Sequence, residues 1–113
     1  MSEAINHQVT AGICHVTFPG QVDGHAVREL FELSSVVMDE RDARLLVDFT
    51  DVPLVTSGAM GILVQIKKRF LSVGGQLHVV VADEHNRQSF ELMKLDIVLK
   101  LFESTEAAIA AFK

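Results

Sequence analysis

Residues 48–70 read "DFTDVPLVTSGAMGILVQIKKRF", and this stretch decides the fold. It opens on the end of an apolar run, passes through Thr56-Ser57-Gly58, and becomes an apolar helix with the basic tail Lys67-Lys68-Arg69. A hydroxyl pair and three small residues (Gly58, Ala59 and Gly61) stand where a strand hands over to a helix. Such a junction is suited to binding, because the first N–H groups of a helix have no partner within it.

The flanking segments alternate between strands and helices. Residues 43–49, "ARLLVDF", are almost continuously apolar, as a central strand covered on both faces requires. A helix over Ser57–Val73 follows, stopped by Gly74-Gly75, where glycine takes a left-handed cap easily. "QLHVVVA" is a second buried strand. Upstream, Ala4–Val9 and Ile13–Phe18 read as a hairpin around Thr10-Ala11-Gly12, with Cys14, Val16 and Phe18 on one face and His15 and Thr17 on the other. Asp23 is placed to cap a helix carrying Val27, Leu30, Phe31, Ser34, Val37 and Met38 at helical spacing, which runs into the charged break at residues 39–42. Downstream, Asp83 caps a helix with Phe90, Met93 and Leu95 on its apolar face. An extended piece at 98–102 leads to Ser104, which caps a last helix, "TEAAIAAFK". The order β-β-α-β-α-β-α-β-α predicts an α/β fold. It has a central mixed, mostly parallel sheet of four to five strands with about four helices packed on it.

With 113 residues and no linker or repeat, the chain is expected to form a single domain, 1–113, burying roughly two-thirds of its unfolded surface. Its formal charge of -5 argues against nucleic acid as a partner, since phosphate binding needs a basic stripe. Lys67-Lys68-Arg69 reads as a solvated helix face. No apolar run approaches the roughly 18 residues that span a bilayer, and "MSEAINHQ" lacks the form of a secretory signal. The single cysteine, Cys14, pairs with nothing internally and reads as a small core residue. These features predict a cytoplasmic protein.

Enzyme motifs fall short. Neither G-x-x-x-x-G-K-[S/T] nor G-x-G-x-x-G is present, and Val55 occupies the place where a nucleophile elbow around Ser57 needs glycine. A small hydrolase acting through Ser57 is therefore the weakest of the readings. The five histidines are spread over separate elements without metal-ligand spacing; His78, in a buried strand, reads as structural. The expectation is a protein without catalytic residues, metal or cofactor.

The opening stretch resembles the signature of the STAS domain, the fold of the bacterial anti-sigma factor antagonists. That signature runs roughly D-L-S-x-V-x-F-[I/M]-D-S-S-G-L-G, followed by an apolar helix ending in basic residues. The matching run is Asp48 to Gly61 and then "ILVQIKKRF". The likeness extends through "GGQLHVVVADEHNRQSFELMKLDIVLKLFESTEAAIAAF" and covers about residues 4 to 112. The resemblance implies a binding protein that docks on an anti-sigma factor, typically an ATP-dependent serine kinase, and so releases a sigma factor. It also implies silencing by phosphorylation at the start of the second helix. A helix N-terminus accommodates phosphate locally, yet the new charge of about -1.5 to -2 breaks a contact surface.

Aligned without gaps, the family's Asp-Ser-Ser-Gly falls on Thr56-Ser57-Gly58-Ala59, so the usual acceptor slot is Gly58. Ser57 keeps a hydroxyl one position earlier. It is both the first candidate for phosphorylation, ahead of Thr56, and a candidate helix N-cap contributing about 1 kcal/mol. Ser57, Gly58, Met60 and Gly61 are the expected partner-binding residues. Glycine in the acceptor slot favours a second reading: a STAS module that works without phosphorylation, as a scaffold or a ligand-responsive sensor.

Overall fold

Ala11 and Gly12, with φ of 53° and 78°, turn the chain between β1 (Asn6–Thr10) and β2 (Ile13–Thr17). Two successive left-handed residues make a type I′ turn, whose twist matches that of the strands it joins. The computed structural model describes residues 4–113; Met1–Glu3, the start of the expected domain and of "MSEAINHQ", lie outside the described residues. After the hairpin come α1 (Gly24–Val37), β3 (Arg44–Asp48), α2 (Ser57–Ser72), β4 (Gln76–Val80), α3 (Glu84–Leu92), α4 (Leu95–Val98), β5 (Lys100–Phe102) and α5 (Thr105–Ala110). The five strands lie in the order β1-β2-β3-β4-β5; β1 is antiparallel to β2, and every later pair is parallel. The expected mixed, mostly parallel sheet is the one observed.

Alternation along the strands sorts side chains between two faces. Cys14, Val16, Leu45, Val47, Leu77 and Val79 face α1, α2 and α3 and form the main core with Leu30, Leu63, Phe70 and Phe90. On the other face Ile13, Leu46 and Val80 meet Ala108 of α5. His78 belongs to this second face. It is buried, its Nδ1 is 2.8 Å from Ala108 O, and its ring stacks on Phe112 at 3.8 Å. It is the structural histidine expected. Cys14 is likewise buried in the core.

The expected caps of α1, α3 and α5 are present. Asp23 Oδ1 accepts from Ala26 N, Asp83 Oδ2 from Asn86 N, and Ser104 Oγ from Ala107 N. Gly74 has φ 72°, a left-handed turn after α2. Gly75 is needed for closeness instead, since a Cβ there would meet Phe70 Cδ2 at 2.8 Å.

Four expectations need correction. The first strand starts at Asn6, not Ala4. The helix capped by Asp83 stops at Leu92, because Lys94 takes φ 59°, so Met93 leaves the helix exposed and Leu95 opens a separate turn, α4. Val98 ends α4, which reduces the extended piece to Lys100–Phe102 and gives five helices among the described residues. Finally, Arg69 is not simply solvated, since its guanidinium lies 4.5 Å over the Phe31 ring, a contact that joins α2 to α1.

Candidate functional site

The loop from β3 to α2 is fixed at its start by Asp48. Its Oδ1 accepts the Thr50 N–H at 2.9 Å and the Thr50 hydroxyl, and its Oδ2 accepts the Thr105 hydroxyl at 2.8 Å. His15 Nε2 lies 2.9 Å from the same Oδ2. Burial alone would raise the Asp48 carboxyl, but the bonds from Thr50, His15 and Thr105 outweigh it and hold the group below its ordinary value. Asp48 thus joins β2, β3, the loop and the start of α5.

Further along, the apolar side chains of Phe49, Val52 and Val55 are buried and anchor the loop to the core. The Phe49 ring stacks on Phe18 at 5.2 Å. Two side-chain amides then take up backbone groups that the irregular chain leaves over. Asn86 Oδ1 accepts Val55 N–H at 3.0 Å, and its Nδ2 donates to Val52 O and Pro53 O at 3.4 and 3.3 Å. Gln21 donates to Leu54 O and accepts the Leu54 N–H at 3.2 Å. Ser57 therefore follows a loop held on three sides.

The cap of α2 is Thr56, not Ser57. Thr56 has extended backbone angles, and its Oγ1 accepts the Ala59 N–H at 3.3 Å. Ser57 is the first residue of the helix. Its side chain is exposed, and among the described residues its hydroxyl has no hydrogen-bond partner. Gly58 and Gly61 are exposed beside it. A Cβ at Gly58 would meet only Thr56 Oγ1, at 3.8 Å, and a Cβ at Gly61 would meet nothing within 4 Å. Nothing inside the protein excludes a side chain at either position, although glycine in a helix costs about 0.5–1 kcal/mol relative to alanine.

Met60 lies elsewhere than expected. At 3% exposure it belongs to the core. It reaches the surface only as the floor of a shallow depression that Val55, Ser57, Ser89, Leu92 and Met93 complete. Leu92 is 85% and Met93 56% exposed, so the break at Lys94 leaves two large apolar side chains beside Ser57. Sequence reasoning missed this flank, and also Asn86 and Gln21. For Asn86 a signal existed: it stands three residues after the capping Asp83, on a face otherwise marked by Phe90.

Among the described residues, no base is paired with Ser57. The His15–Asp48 pair lies on the α5 face of the sheet, whereas Ser57 opens a helix packed on the opposite face. Among the described residues no group of three or more His, Cys, Asp or Glu is placed to hold a metal ion. No described helix is long and apolar enough to cross a membrane. Among the described residues, the site thus presents the exposed, unbonded Ser57 hydroxyl on a surface flanked by Leu92 and Met93.

The family model of the STAS domain matches residues 4–108, and the chain belongs to that family. No curated protein matches the sequence. Solved structures of similar shape include an anti-sigma factor antagonist from Mycobacterium paratuberculosis, with 22% identity, a TM-score of 0.81, and 96% of this chain and 92% of that one covered. The Bacillus cell fate determinant SpoIIAA in its phosphorylated form has 18% identity and a TM-score of 0.70 over 97% of this chain and 100% of its own. A sulfate transporter family protein from Wolinella succinogenes has 14% identity and a TM-score of 0.68, with coverages of 91% and 86%. At these identities the likeness is one of fold.

Proposed function

We propose that residues 1–113 act as one STAS domain, an anti-sigma factor antagonist of the cytoplasm that binds an anti-sigma factor of the serine-kinase type and thereby releases a sigma factor. The observation that carries this reading is the first turn of α2. There an uncommitted Ser57 hydroxyl stands beside two glycines that no internal contact requires. Glycines without an internal reason fit a surface that another protein approaches closely. The exposed Leu92 and Met93 add apolar area to the same surface.

The same geometry supports a reading of how binding is regulated. Ser57 is the acceptor in this reading, with Thr56 the lesser candidate because its Oγ1 is engaged as the cap. Phosphate on Ser57 would meet the unpaired first-turn N–H groups, so the fold survives while the contact surface gains charge. The domain itself turns over no substrate and holds no cofactor or metal. Incubation with ATP and a serine kinase retained from cell extract by this domain, followed by mass mapping, tests this: phosphate on Ser57 is expected, and phosphate only outside residues 56–57 would overturn it.

Gly58 in the usual acceptor slot supports a second reading, a STAS module that binds its partner, or a small ligand, without phosphorylation. Its signature would be a non-kinase partner retained from cell extract and no phosphate at any position.

A further inference from the structure

The two edges of the sheet are finished differently. β5 is three residues long, carries the exposed Lys100, and is followed by exposed Glu103. Shortness and charge are common means of keeping an edge strand from pairing. β1 has neither protection. Asn6-His7-Gln8-Val9-Thr10 contains no Lys, Arg, Asp, Glu or Pro, and its register with β2 runs without a bulge. All five residues are exposed, and among the described residues no strand pairs with the outer edge.

The turn fixes which groups that edge presents. In a type I′ hairpin the flanking pair, here Thr10 and Ile13, exchanges N–H···O bonds, and bonded pairs then alternate along the strands. Gln8 and Asn6 therefore bond to β2, while His7 and Val9 turn their N–H and C=O groups outward. A second β1, antiparallel and with Gln8 on the two-fold axis, sets His7 of each copy against Val9 of the other. Each such pair exchanges two bonds, so all four outward groups of each strand are used. The edge is complementary to itself, and neither copy brings a charge to oppose the other.

We infer that this chain forms a two-fold dimer through β1, centred on Gln8, which joins the two sheets into one of ten strands. On the α1 side, Val9 lines a hollow with Leu33 and Val36 whose rim carries Glu40, Arg41 and Asp42. α2 packs over β4 and against α1, away from this edge, so Ser57 of both copies stays open. The inference does not depend on what Ser57 binds.

Sedimentation equilibrium of the full chain, from about 1 µM to about 1 mM, the range in which weak complexes dissociate, is the test. The mass should climb from 12.4 kDa towards twice that value. Val9→Pro removes an outward N–H that β2 does not use, and should weaken the dimer about tenfold or more. Gln8→Lys and Gln8→Glu alone should each weaken it, and an equimolar mixture of the two should recover wild-type association. This charge pair decides the matter if circular dichroism shows Val9→Pro unfolded. A mass of 12.4 kDa at every concentration overturns the inference. So does a dimer indifferent to these substitutions, or a mixture that recovers nothing.

Discussion

The side-chain carbonyl of Asn86, in α3, accepts the backbone N–H of Val55, two residues before Ser57, at 3.0 Å. Asn86 is buried, and its amide nitrogen also reaches Val52 O and Pro53 O. One side chain of the third helix thus sets where the second begins. Asn86→Ala leaves these buried groups without partners and should lower stability by about 1–3 kcal/mol, read from urea midpoints. Hydrogen exchange at the Val55 amide should accelerate well beyond that of the β3 and β4 amides. Equal changes everywhere would mean that Asn86 supports only the global fold.

The division of labour between Thr56 and Ser57 is measurable without a partner. Thr56→Ala removes the cap and should lose about 1 kcal/mol. Ser57→Ala touches an exposed hydroxyl and should stay within about 0.5 kcal/mol of wild type. With a cognate kinase present, Ser57→Ala should also abolish labelling while leaving partner binding intact.

Gly58 sits in the slot where the family carries its acceptor, and the nearest atom to a Cβ there is 3.8 Å away. Gly58→Ser should therefore fold and gain about 0.5 kcal/mol or less of helix stability from the lost glycine. It should also create a second substrate hydroxyl, detectable by mass mapping after kinase treatment. Loss of the fold would show that a contact at this position had been misjudged.

Two buried groups give stability a predictable acid limb. Burial depresses His78 below its ordinary 6.5; the bond to Ala108 O opposes this, and the charges of Lys100 and Lys67 reinforce it. Asp48 is held below its ordinary 3.8. In both cases the unfolded chain binds protons that the folded one refuses, so stability falls with pH. The His78 contribution is complete above pH 6.5 and is lost as pH falls below it towards the folded value. The Asp48 contribution is complete above pH 3.8 and is lost on further acidification. His78→Gln should flatten the upper part of a stability–pH curve and Asp48→Asn the lower part; an unchanged slope in either variant would refute that assignment.

Much of this architecture was legible because it is periodic or local. Alternation placed Cys14, Val16 and Phe18 on one face, and Asp23, Asp83 and Ser104 announced their helices as caps. The start of α2 at Ser57 was legible, but adjacent hydroxyls blurred its cap by one residue. Thr56 and Ser57 are both competent caps, and the choice rests on Thr56 being the residue with extended backbone angles. The end of α3 was hidden for a different reason: Lys94 adopts a positive φ without the glycine that usually signals one. Asn86, Gln21 and the Asp48–Thr105 bond reach across 31 or more residues of chain, and long-range polar contacts leave no period to read. The small neighbours of Met60 suggest a contact surface, yet at helical spacing with Leu63 and Phe70 its side chain faces the core.

If a partner approaches the first turns of α2 closely, Gly61 is the position that reports it. A side chain there meets nothing within 4 Å inside the protein, so Gly61→Glu should leave the circular dichroism spectrum and urea midpoint near wild type. Calorimetric titration of the two proteins with the partner retained from cell extract is the measurement. Gly61→Glu is expected to weaken binding by about 1.4 kcal/mol or more, a tenfold change in Kd. Equal affinities for a folded variant would contradict it and move the contact surface away from Ser57.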